Sequence, residues 1–144
     1  MKKLIVFSIL LLQISACNND ETANKETTAS ENDLDAARNF IRSSLDGKWS
    51  DARKFMVQDS SNIERLNTIE DFYKTESPDD KRGYREASIT TYDSRKINDS
   101  ITIVNYSNSY KNQKDSLKIV RVNGQWLVDL KYSFLPTDSV KNVL

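Results

Sequence analysis

Apolar positions along this chain fall into three regimes. In the first, Lys2 and Lys3 precede residues 4–12, which are apolar throughout except Ser8, and Gln13-Ile14-Ser15-Ala16 closes the run. A positive start, an apolar stretch and a small-residue exit make the pattern of a secretory signal peptide. Residues 4–16 fall short of the roughly 20 that span a bilayer. In the second regime the spacing is helical. Leu34, Ala37, Ile41 and Leu45 recur every three or four residues beside Phe40, with Asn32 or Asp33 able to cap the start and Gly47 suited to the left-handed end. A short second helix is expected to carry Trp49, Ala52, Phe55 and Met56, with Ser50 as its cap. A third opens at Ser61-Asn62-Ile63-Glu64, a capping-box pattern, runs through Leu66, Ile69, Phe72 and Tyr73, and ends before Pro78.

In the third regime, after Pro78, the period is two. Residues 84–92 and 101–110 are rich in the β-branched and aromatic residues that strands favour, with Asp79-Asp80 in the turn before them. Two further strands, 117–122 and 125–134, flank Asn123-Gly124, the strongest short hairpin signal because both turn positions take positive φ. A two-residue turn sets Arg121 opposite Trp126, Ile119 opposite Val128, Leu117 opposite Leu130, Val120 opposite Leu127 and Lys118 opposite Asp129. The last is a favourable charge pair. Leu117, Ile119, Trp126, Val128 and Leu130 then face inward. In the second strand Ile101 and Ile103 oppose Val104, Tyr106 and Tyr110 in facing, which calls for a bulge or a sheet covered on both faces. Residues 136–144 read as a loose tail or a last helical turn.

Between the first two regimes, residues 18–32 contain no apolar residue but alanine, so they form a disordered tether reaching roughly 20 Å. Acids soon after Cys17, at Asp20 and Glu21, resemble a surface-export signal of some Gram-negative lineages, although plain tether polarity accounts for them more simply. The organisation expected is therefore a signal peptide over 1–16, a tether over 17–32, and one α+β domain over 33–144. In that domain the N-terminal helices pack on a curved antiparallel sheet of about four strands.

The residue after the small-residue exit changes the meaning of the first regime. Ile14-Ser15-Ala16-Cys17 resembles the lipobox cut by lipoprotein signal peptidase, which implies cleavage between Ala16 and Cys17 and attachment of palmitate-type acyl chains to the Cys17 thiol. Two such chains suffice for stable anchoring, at about 0.8 kcal/mol for each buried methylene. The partner implied is the lipid bilayer of a bacterial cell envelope. The outer membrane is expected, on either its periplasmic or its surface face. Cys17 is the sole cysteine, so no internal disulfide forms.

Composition narrows the chemistry. The chain has 21 basic and 21 acidic side chains and no histidine; cleavage removes Lys2 and Lys3, leaving 19 bases against 21 acids. Near-neutral charge without a basic stripe argues against nucleic acid as a partner. Without histidine, and with its one cysteine acylated, the mature chain lacks the donors of a zinc or transition-metal site, the usual base of a serine or cysteine nucleophile, and, with three glycines, any phosphate-cradling loop. No cofactor is expected. The aromatic residues Trp49, Tyr84, Tyr92, Tyr106, Tyr110 and Trp126, with Phe72, are candidates either to line a pocket for a flat ligand or to fill the core. Three Asp-Ser-aliphatic tripeptides, at Ser100, Ser116 and Ser139, resemble a bacterial O-glycosylation sequon, and Asp-Ser is equally ordinary turn chemistry.

Two stretches carry a resemblance to a fold family. Residues 34–56 (LDAARNFIRSSLDGKWSDARKFM) and 117–128 (LKIVRVNGQWLV) are similar to the opening helices and closing hairpin of nuclear-transport-factor-2-like domains, including uncharacterised lipoproteins labelled lumazine-binding. The resemblance implies a cone of cystatin-like outline, with a sheet wrapped on helices and a pocket at its open end. Some members are ketosteroid isomerases or polyketide cyclases. The aspartate–histidine pair of some of these has no counterpart here, and no aspartate matches the isomerase base. The expectation is a non-enzymatic envelope lipoprotein that binds a small molecule, a peptide or a partner protein. The alternatives are a histidine-free pocket enzyme, and an assembly module using an apolar patch near Val120, Val122 and Leu127.

Overall fold

The computed structural model describes residues 30–133, an α+β unit in which helices precede a four-stranded antiparallel open sheet. The signal segment, Cys17, most of the tether, Ser139 and the tail lie outside the described residues. No helix among the described residues is long and apolar enough to cross a membrane.

Helix α1, Asp33–Leu45, starts where Asn32 accepts the Asp35 amide and ends where Gly47 adopts φ +71°. The Lys48 and Gly47 amides return to the Ser43 and Ser44 carbonyls, which satisfies the last turn. Its apolar stripe is buried as the spacing predicts: Ala37, Phe40, Ile41 and Leu45 are at most 2% exposed, and Leu34 packs at the margin. Helix α2, Trp49–Lys54, is shorter than expected and lacks a side-chain cap; Ser50 lies inside it. Phe55 and Met56 leave the helix because the backbone there pairs with the sheet. The Val57 amide bonds the Val128 carbonyl, and the Val128 amide bonds that of Phe55. Helix α3, Ser60–Thr75, is capped by Asp59, which accepts the Asn62 amide, two residues before the cap that the Ser61 box implies.

The largest departure from the sequence reading follows Pro78. Residues 78–86 are a fourth helix, α4 (Pro78–Glu86), and not the first half of a strand; Asp79 and Asp80 form its first turn and no loop. Ser77 accepts the Asp80 amide, Pro78 sits where a helix start has no amide to lose, and two acids face the positive end. At the other end the Arg42 guanidinium donates to the carbonyls of Tyr84, Arg85 and Ala87 while paired with Asp46 at 2.8 Å, tying α4 to α1. Tyr84 is therefore a helical residue and fully buried.

The strands are β1 (Ile89–Asn98), β2 (Ile101–Asn108), β3 (Lys114–Val122) and β4 (Gln125–Asp129), adjacent in chain order. The Asn-Gly hairpin has the expected register: Arg121 opposite Trp126, Val120 opposite Leu127, Ile119 opposite Val128 and Lys118 opposite Asp129. Leu117 and Leu130 do not pair. The Leu130 amide goes instead to the Asn62 side chain at 2.7 Å, and the chain turns into a short helix, α5 (Leu130–Ser133). Leu130 still reaches the core, fully buried beside Leu117, Ile119 and Val128. The mixed facing of β2 resolves in both anticipated ways: its residues are buried on both sides, and the pairing slips, but in β1, at a bulge between Thr91 and Asp93 and again between Lys96 and Asn98.

Between α1 and α4 and the end of β2, an aromatic ladder fills the space. Trp49 meets Tyr73 edge-on at 5.4 Å, Tyr73 meets Tyr84 at 6.0 Å, and Tyr84 meets Tyr110 edge-on at 5.1 Å. Gly83 makes room for the last ring: a Cβ there would lie 2.4 Å from Tyr110 Cε2. Gly83→Ala gains about 1 kcal/mol of helix propensity, yet it must expel Tyr110 and break its 2.6 Å bond to Asp80. We expect a net loss of about 1 kcal/mol, since such overpacking costs roughly 1–3 kcal/mol. Thermal melting checks this, and an unchanged or raised midpoint contradicts it.

Candidate functional site

The bulge in β1 builds the most distinctive surface of the protein. Strand alternation assigns Thr102, Val104 and Tyr106 to the helix-facing side of β2, since Val104 and Tyr106 belong to the core, and Ile103, Asn105 and Ser107 to the open side. Across the bulge, Asp93 pairs with Asn105, and Asn105 with Ser116, so one polar row crosses three strands on the open face. The extra residue, Tyr92, lies over the neighbouring row, with its hydroxyl 2.7 Å from that of Ser107. Ser107 in turn is opposite Lys114, whose ammonium rests 5.0 Å from the centre of the Tyr92 ring. A bulge re-aims side chains in this way: two consecutive residues, Tyr92 and Asp93, share the open face.

These residues wall a cleft of about 330 Å³, lined by Tyr92, Asp93, Asn105, Lys114, Asp115 and Ser116. The Ser116 hydroxyl donates to Asn105 Oδ1 at 2.6 Å, leaving the Asn105 amide nitrogen without a partner among the described residues. The Asp93 carboxylate likewise has no hydrogen-bond or ion-pair partner there. Asp115 differs. Its carboxylate accepts the Ser116 amide at 2.7 Å and the Tyr106 hydroxyl at 3.4 Å, and burial pushes its pKa up to about 6 because those two bonds only partly offset the lost solvent. The buried Tyr106 hydroxyl is pushed upward by the same desolvation and by the facing Asp115 charge.

The six aromatic residues singled out in the sequence are not gathered in one cavity. Trp49, Tyr84 and Tyr110 join Tyr73 in the ladder. Tyr106 is core, Tyr92 is on the open face, and Trp126 lies at the hairpin with the Arg121 guanidinium 5.7 Å above its ring. In the ladder, Lys111 sits 5.3 Å from the Tyr84 ring and 5.1 Å from that of Tyr110. The Tyr84 hydroxyl is buried with no hydrogen-bond partner among the described residues, and burial beside Glu76 and Asp80 raises its pKa. Of the Asp-Ser serines, Ser100 is exposed in the tight β1–β2 turn, while Ser116 lies in β3 with its hydroxyl committed to Asn105.

A second cleft, of about 290 Å³, lies at the β4 edge between Arg53, Lys54, Met56, Gln58, Gln125 and Leu127. Arg53 there is paired with Glu70 at 3.0 Å. Further along the open face, Ile101, Val120 and Leu127 are partly covered and Val122 is 40% exposed, a narrow apolar strip. Among the described residues no group of three or more histidine, cysteine, aspartate or glutamate side chains could hold a metal ion.

Sequence reasoning missed Asp93, Asn105, Lys114 and Asp115. The available signal was a strand whose alternation breaks at Thr-Tyr-Asp, placing one large ring among polar neighbours. No protein-family model, curated protein or solved structure matches the chain.

Proposed function

We propose that the chain is a non-enzymatic envelope lipoprotein, anchored through acylated Cys17, whose domain holds a small molecule in the open-face cleft. The observation that carries the binding half is the convergence of the Asp93 carboxylate, the Asn105 amide nitrogen and the Lys114 ammonium, none of which has a hydrogen-bond or ion-pair partner among the described residues. Around it, the space between helices and sheet is taken up by Phe40, Leu45, Leu66, Ile69, Tyr84 and Tyr106, each fully buried or nearly so. Helices before an antiparallel sheet, the α1–α2 step at Gly47 and the closing Asn-Gly hairpin support a nuclear-transport-factor-2-like assignment. On that assignment the cleft lies on the sheet face opposite the family's cone.

The anchor is tested by Cys17→Ser in cells. The parent should sediment with membranes and leave them only in detergent. The variant should lose essentially all membrane retention through lipid, remaining either soluble or uncleaved with its signal segment. Equal detergent-dependent partitioning of the cleaved variant would sink the anchor. Protease treatment of intact cells then assigns the surface or periplasmic face.

One observation favours the histidine-free enzyme as a second reading. Asp115, paired with Tyr106 and bonded to its hydroxyl, turns its carboxyl group to the helix-facing side of the sheet behind the cleft, where burial holds it near 6, in the range of a general base. Asp115→Asn separates the two readings. Binding without any turnover in the parent supports the carrier, and turnover that disappears in the variant while binding persists supports the enzyme.

A further inference from the structure

We infer that the open-face cleft is a subsite for an uncharged saccharide ring. This rests on the reading of the cleft as a small-molecule site and names the class it takes. The wall offers one aromatic face, Tyr92, which is 52% exposed although its hydroxyl is tied to Ser107. The remaining lining residues are all polar, and a flat hydrocarbon ligand would desolvate the Asp93 carboxylate, the Asn105 amide nitrogen and the Lys114 ammonium without giving them partners. The charges point the same way. A carboxylate at Asp93 and an ammonium at Lys114 stand in the same cleft, so a net anion or a net cation meets one group of its own sign.

A neutral ring bearing hydroxyls matches both kinds of group. Each hydroxyl donates one hydrogen bond and accepts others. Asp93 is acceptor only, the Asn105 amide nitrogen and Lys114 are donors only, and all three lack polar partners among the described residues. A sugar ring also has a face of C–H bonds, which packs against an aromatic ring while its edge stays hydrated. The polar row from Asp93 through Asn105 to Ser116 crosses three strands spaced about 4.8 Å apart, so it extends about 10 Å, enough for a six-membered ring and its substituents. The volume is at the low end of ligand sites, which start at about 300 Å³. The fold supports this surface firmly from behind. Val104 and Leu117, which alternate with Asn105 and Ser116, are at most 1% exposed in the core.

The test uses the full chain purified in a detergent without a sugar headgroup and labelled with nitrogen-15. Cellotriose, maltotriose and triacetylchitotriose are titrated separately, with glutamate and lysine as charged comparators. At least one trisaccharide should shift the amides of Tyr92, Asn105 and Ser116 saturably, with a dissociation constant on the order of millimolar for so shallow a site. Tyr92→Ala should weaken that binding about tenfold, equivalent to about 1.4 kcal/mol of ring packing, and Tyr92→Phe should keep it. Asp93→Ala should weaken it severalfold. All three substitutions are at exposed positions, and an unchanged spectrum elsewhere shows that each variant folds. Saturable shifts with glutamate or lysine and none with the sugars would overturn the saccharide class and leave the cleft as a site. A cleft that none of the five probes perturbs, or sugar binding insensitive to Tyr92→Ala, would overturn the inference; in the first case the small-molecule reading falls with it.

Discussion

Replacing Asn62 with leucine should cost the protein about 3 kcal/mol, a large share of the stability of a domain this size. Asn62 has no exposed surface, yet it is polar and of leucine's approximate volume, so the substitution removes hydrogen bonds with little change in packing. Its Oδ1 takes the Leu130 amide at 2.7 Å, and its Nδ2 donates to Asp129 at 3.4 Å. That amide is where β4 leaves the ladder, so it has no strand partner to fall back on. Each buried group left unmade costs about 1–3 kcal/mol. Asp129 would keep the Lys131 amide at 3.2 Å and the ammonium groups of Lys118 at 3.4 Å and Lys131 at 3.8 Å. Urea denaturation followed by circular dichroism measures the loss, and a midpoint unchanged from the parent would show that the corner is held by packing alone. The neighbouring Asp59–Lys131 pair, 2.7 Å apart, already stabilises the same corner. With the Asn62 amide, it holds the Asp59 pKa down to about 2, so that support is present above the usual carboxylate range and fades as pH falls toward 2.

The Asn62 corner also marks how far the sequence could be read. Where one local signal was enough, the fold was legible. The α1 stripe, its Asn32 cap and Gly47 end, and the Asn-Gly register from Arg121–Trp126 to Lys118–Asp129 all follow from periodicity and turn chemistry. Reading failed where two signals competed. Pro78 reads equally as a helix breaker and as a first helical residue; Ser77 and the two following aspartates decided it, and taking them for a turn shifted β1 by several residues. The end of β4 was illegible for a different reason. The residue that captures the Leu130 amide stands 68 positions earlier, so no window around the strand contains it.

The same contrast governs the cleft. Tyr92 is a candidate by its amphipathic ring, but the sequence offers nothing to separate it from rings that belong to the ladder, the core or the hairpin. Its neighbours Asp93, Asn105, Lys114 and Asp115 are ordinary strand residues until the bulge sets the pairing of Asp93 with Asn105 and of Asn105 with Ser116. Asp115-Ser116 was legible only as a tripeptide pattern. A row across three strands is a property of register, and the β1–β2 register depends on a slip that composition does not encode.

Asp115 gives the second large effect, with a pH signature opposite to that of Asp59. Its folded pKa of about 6 lies above the ordinary aspartate value of 3.8 because burial penalises the charged form. The folded state therefore binds a proton more tightly than the unfolded chain between pH 3.8 and 6. Stability from this group is fully present below 3.8 and is lost as pH rises through 6, so at pH 7 the fold carries a buried charge. The difference of about two units corresponds to at most about 3 kcal/mol, and partial exposure of the residue reduces it to about 2 kcal/mol. Asparagine imitates the neutral acid and its carbonyl still accepts the Ser116 amide. Asp115→Asn should accordingly raise stability at pH 7.5 by about 1–2 kcal/mol and make little difference at pH 4. Paired urea melts at the two pH values decide the matter. A variant less stable than the parent at pH 7.5, or a gain of equal size at pH 4, would mean that the Tyr106 and Ser116 hydrogen bonds outweigh desolvation and that the parent carboxylate is at ease in the wall.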